Sequence, residues 1–271
     1  MQLGKISSDD LLLLLNLYPT LSQQQKEARE LLLQKSEKVF AKDCLRPLWC
    51  NLYELPVRVH IQQAIQFFGF EDALKNLASA DNQIQALPGL LDTISNDLDQ
   101  WEPDEDETQD LQQSLGVIYG VATSLINTLR CLETFGLYLN DLVAKVREEG
   151  VAADKWLFAA IKIDVTVMGC QTIMARITRA VMEDDQKFLS ALRKAMTGKL
   201  TKREQKNYQQ MRLALQVLLE TGAPKLGQED LYQLFVEELR LIRGESDDDE
   251  GNVANNLRQF AYQFMKQKSV S

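Results

Sequence analysis

The chain has 271 residues, of which 45% are hydrophobic and 25% are charged, as in a globular protein with a sizeable core. Its formal net charge of −9 argues against a general affinity for phosphate backbones or anionic lipid. Its 4 cysteines are irregularly spaced and none belongs to a C-x-x-C pair, which indicates reduced, buried thiols and a cytoplasmic location.

Apolar residues recur at intervals of three and four along nearly the whole chain, which predicts an all-α protein. No run of alternating β-branched residues predicts a strand. We expect a multi-helix array, orthogonal or bundled, of roughly 10–13 helices. The predicted helices are 8–17, 21–42, 47–54, 56–68, 71–79, 88–101, 109–148, 153–165, 168–183, 186–197, 202–221, 229–242 and 253–267.

Polar residues and prolines predict several helix starts. Ser8, which two aspartates follow, is expected to cap the first helix, and Thr20 with Gln23 has the spacing of a capping box. Pro56 and Pro88 suit positions in a first helical turn, because proline lacks the N–H that is unpaired there in any case.

The long central segment, 109–148, exceeds a usual helix length. It is either one central helix or two helices broken near Gly136. The acidic segments 102–110 and 244–252 are predicted to be exposed loops. The first loop would separate an N-terminal helical layer, 1–102, from a C-terminal region, 109–271, although a single domain is equally compatible with the pattern.

The search for catalytic chemistry begins with His60, the single histidine, which leaves too few imidazoles for histidine-based metal sites. No nucleophile-like turn stands near it, so we interpret it as a packed or partly exposed helix residue. The loop at 102–110 fails the calcium pattern, because Gln109 and Leu115 stand where glycine and glutamate are required. Phosphate-binding glycine motifs are absent. We therefore predict no metal and no cofactor, and we assign no catalytic residue.

Asp164 stands among isoleucines and valines, so a buried carboxylate is expected there. Such a group needs hydrogen bonds or a cation, either from Lys162 or from a residue distant in sequence. We favour a structural ion pair or a helix-end cap over an acid-base catalyst.

A ladder of small residues recurs every four positions in the central segment. Such a stripe lets a second helix approach closely. We favour a core helix within one subunit, and the functional alternative is a homodimer seam. The ladder comprises Gly116, Gly120, Ser124 and Thr128.

The charge reverses along the chain. Ten carboxylates and no Lys or Arg lie between 76 and 129, whereas eight cations and one carboxylate lie in 186–212, which gives +7 there and −16 elsewhere. The two blocks could face each other within the chain or across a dimer. The helix at 186–197, the turn at Gly198 and the next helix have the outline of a helix-turn-helix, although Lys194 and Glu204 depart from its pattern.

We favour a solvated basic face over a nucleic-acid surface. The candidate nucleic-acid or anion-binding residues are Arg193, Lys194, Lys199, Lys202, Arg203 and Lys206.

Function is expected to reside in a surface rather than in a catalytic centre. The preferred hypothesis is a non-enzymatic helical interaction or regulatory protein, whose partner is another protein or a second copy, with no role for a membrane. The alternative is a nucleic-acid-associated regulator that uses the basic 186–212 region. The third class is an enzyme that uses carboxylates alone, and it requires Asp or Glu side chains from separate helices to converge.

Overall fold

The computed structural model describes residues 1–19, 23, 27, 53, 55–67, 69–90, 108–149, 153–198, 208–242 and 250–268, with backbone alone for 67, 108–119, 149, 250 and 267. The predicted helices at 21–42 and 47–54 lie largely outside these residues, as does most of the helix at 88–101. The two acidic loops and the Thr20 cap also lie largely outside them.

The described residues are helical apart from one short hairpin and the connecting turns, which confirms the all-α prediction. A 3₁₀ helix, Val165–Gly169, lies between the helices Asp154–Ile163 and Gln171–Met182. The elements are β1 Gln2–Leu3, β2 Ile6–Ser7, α1 (residues 8–19), α2 Val57–Phe67, α3 Glu71–Ala78, α4 (residues 83–90), α5 Thr108–Phe135, α6 Leu139–Glu149, α7 Asp154–Ile163, α8 Gln171–Met182, α9 Gln186–Met196, α10 Gln209–Glu220, α11 Gln228–Tyr232 with its π-helical continuation Gln233–Glu238, and α12 Glu250–Lys268.

The hairpin of β1 and β2 was not predicted, because a strand of two residues is too short to show alternation. Leu3 pairs with Ile6, and Gly4 has a φ of 77° at the first position of the two-residue turn, where a type II′ turn requires glycine. The cap of α1 is also one residue earlier than predicted. Ser7 and Asp10 exchange hydrogen bonds in a capping box, because they have the required spacing. The Ser8 hydroxyl instead accepts a hydrogen bond from the N-terminal amino group of Met1.

The chain forms two compact units. Unit 1 comprises Met1–Ser22, Leu132–Leu137 and Lys202–Ser271, and unit 2 comprises Gln23–Cys131 and Tyr138–Thr201. In unit 1 the hairpin, α1, α10, α11 and α12 share one apolar core. In unit 2 α7 packs against α6 and α9. The units interleave along the chain, and the sequential division into folding domains 1–102 and 109–271 stays a prediction.

The central segment breaks at Gly136, as one of the two alternatives predicted. Gly136 has a φ of 77°, and its N–H donates to the carbonyl of Leu132 at 2.8 Å, which ends α5. A Cβ at this position would lie 3.1 Å from Cδ2 of Phe264. Glycine is thus required both by the left-handed backbone and by the close approach of α12.

Three predicted boundaries were wrong. The helix predicted at 202–221 begins at Gln209, with Tyr208 as its N-cap. Helix α4 begins at 83 rather than at Pro88, because the Asn82 side chain accepts a hydrogen bond from the N–H of Gln85 at 3.1 Å and caps the helix. Pro88 therefore lies in the second turn. The helix predicted at 229–242 ends at Glu238, because Arg240 has a φ of 52° and cannot continue a right-handed helix.

Replacing Gly136 with alanine is expected to lower the free energy of unfolding by about 2–4 kcal/mol, since alanine adds left-handed strain and crowds Phe264. Urea unfolding followed by circular dichroism measures the change. The matched control is Gly222→Ala, because Gly222 has a φ of 69° but open space around its Cβ position. Its cost should be only about 1–2 kcal/mol. Equal costs for the two variants would show that Phe264 does not crowd this position.

Candidate functional site

The buried carboxylate of Asp164 is the centre of a polar cluster in unit 2. Asp164 ends α7 and caps the following 3₁₀ helix, where its Oδ1 accepts from the N–H of Thr166 at 2.9 Å and from the Thr166 hydroxyl at 2.6 Å. Its Oδ2 accepts from the Tyr53 hydroxyl and from Nδ2 of Asn127, each at 2.7 Å. The structure thus confirms the helix-end cap.

Four hydrogen bonds therefore replace the hydration that the Asp164 carboxylate loses on burial, where the residue is only 8% exposed. Two of the donors, Tyr53 and Asn127, come from residues distant in sequence, as one alternative predicted, and Lys162 is not among the four. Donors on both oxygens fix the orientation of the carboxylate. Because the carboxylate oxygens are already bonded within the protein, the arrangement supports a structural role.

Tyr53 is held in its neutral form. Burial raises the pKa of its hydroxyl well above the ordinary value of 10.0, and the negative charge of Asp164 and the hydrogen bond to Asp164 raise the pKa further. Tyr53 is consequently a proton donor in a fixed hydrogen bond over the physiological pH range.

His60 is hydrogen-bonded to a serine that lies far from it in the sequence. Nε2 of His60, on α2, lies 2.6 Å from the Ser124 hydroxyl, on α5. A hydroxyl beside an imidazole is also the arrangement of serine nucleophiles, which need a group to orient the base and access for a substrate. Here both residues are 0% exposed, and Nδ1 has no hydrogen-bond partner. The geometry supports a buried polar pair rather than a nucleophile.

The small-residue ladder of α5 is buried from Gly120 onward. Ser124 contacts His60, and the Thr128 hydroxyl lies 3.4 Å from Oδ1 of Asn140 on α6. Nδ2 of Asn140 in turn donates to the carbonyl of Leu55 at 2.5 Å. These contacts lie within unit 2, as expected of a core helix. For Gly116 the backbone alone is described, and the homodimer seam stays a prediction.

The basic residues are described only in part. Arg193 and Lys194 are exposed on α9, and Gly198 has a φ of 64° in the turn that follows. Four candidates lie outside the described residues, so the predicted helix-turn-helix and the predicted pairing of acidic and basic blocks are not tested. Those four are Lys199, Lys202, Arg203 and Lys206.

Helix α8 presents an exposed apolar stripe, which we define as Met174, Val181 and Met182. These side chains are 46%, 61% and 82% exposed, while Ile173 and Ala180 on the opposite face are fully buried. An open surface depression of about 700 Å³, called the groove below, lies along α8 and includes Met174 and Met182 of the stripe. Its lining residues are Gly169, Gln171, Met174, Ala175, Thr178, Arg179, Met182 and Glu183.

One arginine fixes α8 in place. Arg176 donates to both carboxylate oxygens of Asp154 at 2.9 Å and to Asp185 at 3.3 Å, and its guanidinium lies 4.0 Å from the ring centroid of Phe188. The bond to Asp154 raises the pKa of Arg176, and the Phe188 N–H bond lowers that of Asp185. A planar bidentate pair joined to a third helix restricts rotation of α8.

The carboxylates in the described part of the chain do not form a recognisable reaction centre. Glu229 and Glu237 both line a surface depression in unit 1, but both are exposed. The carboxylates around Arg176 are those of Asp154 and Asp185, and both are bonded to its guanidinium. Within the described ranges, His, Cys, Asp and Glu side chains form no group of three or more that could hold a metal ion.

Asp164→Asn is expected to lower the free energy of unfolding by about 2–4 kcal/mol, because its amide NH₂ would face one of the two pairs of donors. The matched control makes the same change at exposed Asp184, whose φ of 53° asparagine also tolerates. That variant should remain within about 0.5 kcal/mol of the parent. Similar values for both variants, measured by urea unfolding, would contradict the proposed importance of the cluster.

The raised pKa of Tyr53 predicts a loss of stability in alkali. The folded form retains the hydroxyl proton at a pH where the unfolded form has lost it, so stability is intact below pH 10.0 and falls as pH rises through the raised pKa. The free energy of unfolding falls by at most about 1.4 kcal/mol per pH unit in this range. Tyr53→Phe should lack this component in unfolding curves measured between pH 8 and 11. Tyr262→Phe, at an exposed tyrosine, should retain it; retention in both variants would argue against Tyr53 as its source.

No helix in the described portion of the chain is both long and apolar enough to cross a membrane. Comparison with known proteins gives no further guide to function. No protein-family model, no curated protein and no solved structure matches the chain. The physical properties of its own residues are therefore what a functional hypothesis has to be built on.

Proposed function

We propose that the protein is a non-enzymatic interaction protein and that an amphipathic helix of another protein docks on the α8 stripe. The observation that carries the proposal is the exposure of three large apolar side chains, Met174, Val181 and Met182, on one helix beside an open groove. Water around such side chains is released when an apolar partner covers them. Methionine adapts its shape to different partners, and a groove along a helix suits the helix-in-groove mode of recognition.

The distribution of reactive groups supports the non-enzymatic part of the proposal. The Ser124 hydroxyl and the His60 imidazole are buried, and the Asp164 carboxylate is occupied by four internal donors. Groups in these positions contribute to packing and hydrogen bonding inside unit 2. The surface beside α8 is instead apolar, which favours binding over chemistry.

We place the protein in the cytoplasm as part of the same proposal. Cys131 and Cys170 are buried, which supports a location in a reducing compartment. A second copy of the chain remains an alternative partner through the ladder of α5, and its test is the molar mass in solution measured by light scattering.

The nucleic-acid alternative rests on the basic region. Arg193 and Lys194 are exposed on α9, which supports an anion-binding role for that helix. We favour the protein partner because exposed apolar side chains such as Met182 gain stability when a partner covers them, whereas exposed cations such as Arg193 and Lys194 are well solvated without a ligand. A nuclease treatment separates the two hypotheses.

The test places a photo-crosslinking amino acid at exposed Thr178 in the groove, in cells that express the protein, and identifies the crosslinked peptide by mass spectrometry. We expect an amphipathic helical segment of another protein. Met182→Asp should reduce its crosslinking about tenfold, as for loss of a moderate hot spot. Tyr262→Asp, at an exposed side chain in unit 1, should leave it unchanged.

Three results would contradict the proposal. Crosslinks that survive in Met182→Asp would show that the stripe does not hold the partner. Crosslinks that disappear after nuclease treatment would favour the nucleic-acid alternative, and crosslinks to the same chain alone would favour a homodimer. Circular dichroism of the variants checks that folding is intact, which is expected because Met182 is 82% exposed.

A further inference from the structure

His60 is the principal buried side chain of α2. Among the side chains described for this helix, His60 and Ala64 are buried at 0% and 3% exposure, while Val59 and Ile61 on either side of the histidine are about 40% exposed. A helix normally rests on an apolar face. Helix α2 packs through His60 and Ala64, with Val57 and Ile65 partly buried beside them, so a titratable imidazole lies within an otherwise apolar buried face.

The hydrogen bonds of the ring favour its neutral form. The Ser124 hydroxyl lies 2.6 Å from Nε2 of His60 and 2.9 Å from the Val121 carbonyl. Because a hydroxyl has one hydrogen, donation to the carbonyl leaves its oxygen to accept from Nε2–H. Nδ1 is then the unprotonated nitrogen, and it has no hydrogen-bond partner. Adding a proton would create a buried N–H without an acceptor.

In the described part of the chain, no carboxylate is placed to stabilise an imidazolium. Neither ring nitrogen is bonded to a charged group, since Nε2 meets Ser124 and Nδ1 has no partner. Three charged side chains on other elements of unit 2 form hydrogen bonds elsewhere. Arg130 donates to the Ile163 carbonyl, Asp141 accepts from the Tyr138 N–H, and Asp164 accepts its four bonds. The charged side chains described on α2, α5 and α6 are Arg58, Arg130, Glu133, Asp141, Lys145, Arg147 and Glu148, and Asp164 follows α7.

Burial lowers the pKa of His60 below its ordinary value of 6.5, which agrees with this geometry. The packed form binds fewer protons than the open form. Its stability is therefore complete above pH 6.5 and is lost as pH falls from 6.5 through the lowered pKa.

We propose that the His60–Ser124 pair is an acid-sensitive joint that holds α2 on α5 while the imidazole is neutral and releases α2 when the imidazole is protonated. Release exposes the Ser124 hydroxyl and the Ala64 side chain, which are buried in the packed form. One proton controls the opening, so the opening constant of α2 rises by at most about tenfold per pH unit. The device is independent of the α8 stripe and does not require the proposed docking to be correct.

The test uses the full chain, in which the single histidine gives unambiguous imidazole resonances in an NMR spectrum. We expect the His60 resonances to titrate below pH 6.5. Hydrogen exchange of peptides within 57–66, corrected for the intrinsic effect of pH, should accelerate with the same midpoint. Peptides from α7 should remain protected, which distinguishes local release from global unfolding.

The matched variant is His60→Gln, whose amide can donate to Ser124 but does not titrate. Acid-dependent exchange in 57–66 should disappear in this variant. The proposal is overturned if His60→Gln retains the acid dependence of exchange. It is also overturned if wild-type His60 titrates with a pKa of 6.5 or higher, or if His60 titrates while hydrogen exchange in α2 stays unchanged. Should His60→Gln fail to fold, the wild-type measurements decide alone: coincident midpoints below 6.5 support the joint, and separate midpoints overturn it.

Discussion

The structure of unit 2 depends on keeping the Asp164 carboxylate charged and buried without a cation. Hydrogen bonding has to replace the lost hydration, and four donors supply it from three separate parts of the chain. Tyr53 precedes α2, Asn127 lies on α5, and Thr166 belongs to the 3₁₀ helix after α7. A displacement of any one part leaves a buried charge undercompensated, so the carboxylate restricts the arrangement of all three.

The same constraint extends along α5. Asn127 and Thr128 lie three and four residues after Ser124 and thus on the same side of the helix. Ser124, Asn127 and Thr128 contact His60, Asp164 and Asn140 respectively. A stripe of small polar residues here does two things at once, because it permits close approach and also supplies directional bonds. Apolar residues of similar size would allow the helix to slide by a turn, whereas these hydrogen bonds select one register.

Much of the local structure could be predicted from the sequence, since apolar periodicity gave α7, α8 and α9 to within a few residues. The glycine at 136 and the apolar neighbours of Asp164 likewise indicated a break and a buried carboxylate. The pairing of His60 with Ser124 could not be predicted, because the two lie 64 residues apart. The same is true of the pairing of Asp164 with Tyr53 and Asn127, which lie 111 and 37 residues away. The start of α4 was missed since one Asn82 cap outweighs the preference of Pro88, and the α8 stripe was missed because periodicity does not identify which apolar side chains remain uncovered.

Polar groups that could perform chemistry lie inside unit 2, while large apolar groups lie outside on α8. An uncovered Met182 gains nothing from the hydrophobic effect in the free protein, but it would do so against a partner. The Arg176 pairs with Asp154 and Asp185 hold the backbone of α8, so the stripe is presented with little backbone entropy left to lose on binding. A fixed helix with adaptable methionines combines low ordering cost with tolerance of partner shape. That combination favours recognition of a helix over catalysis as the physical purpose of this surface.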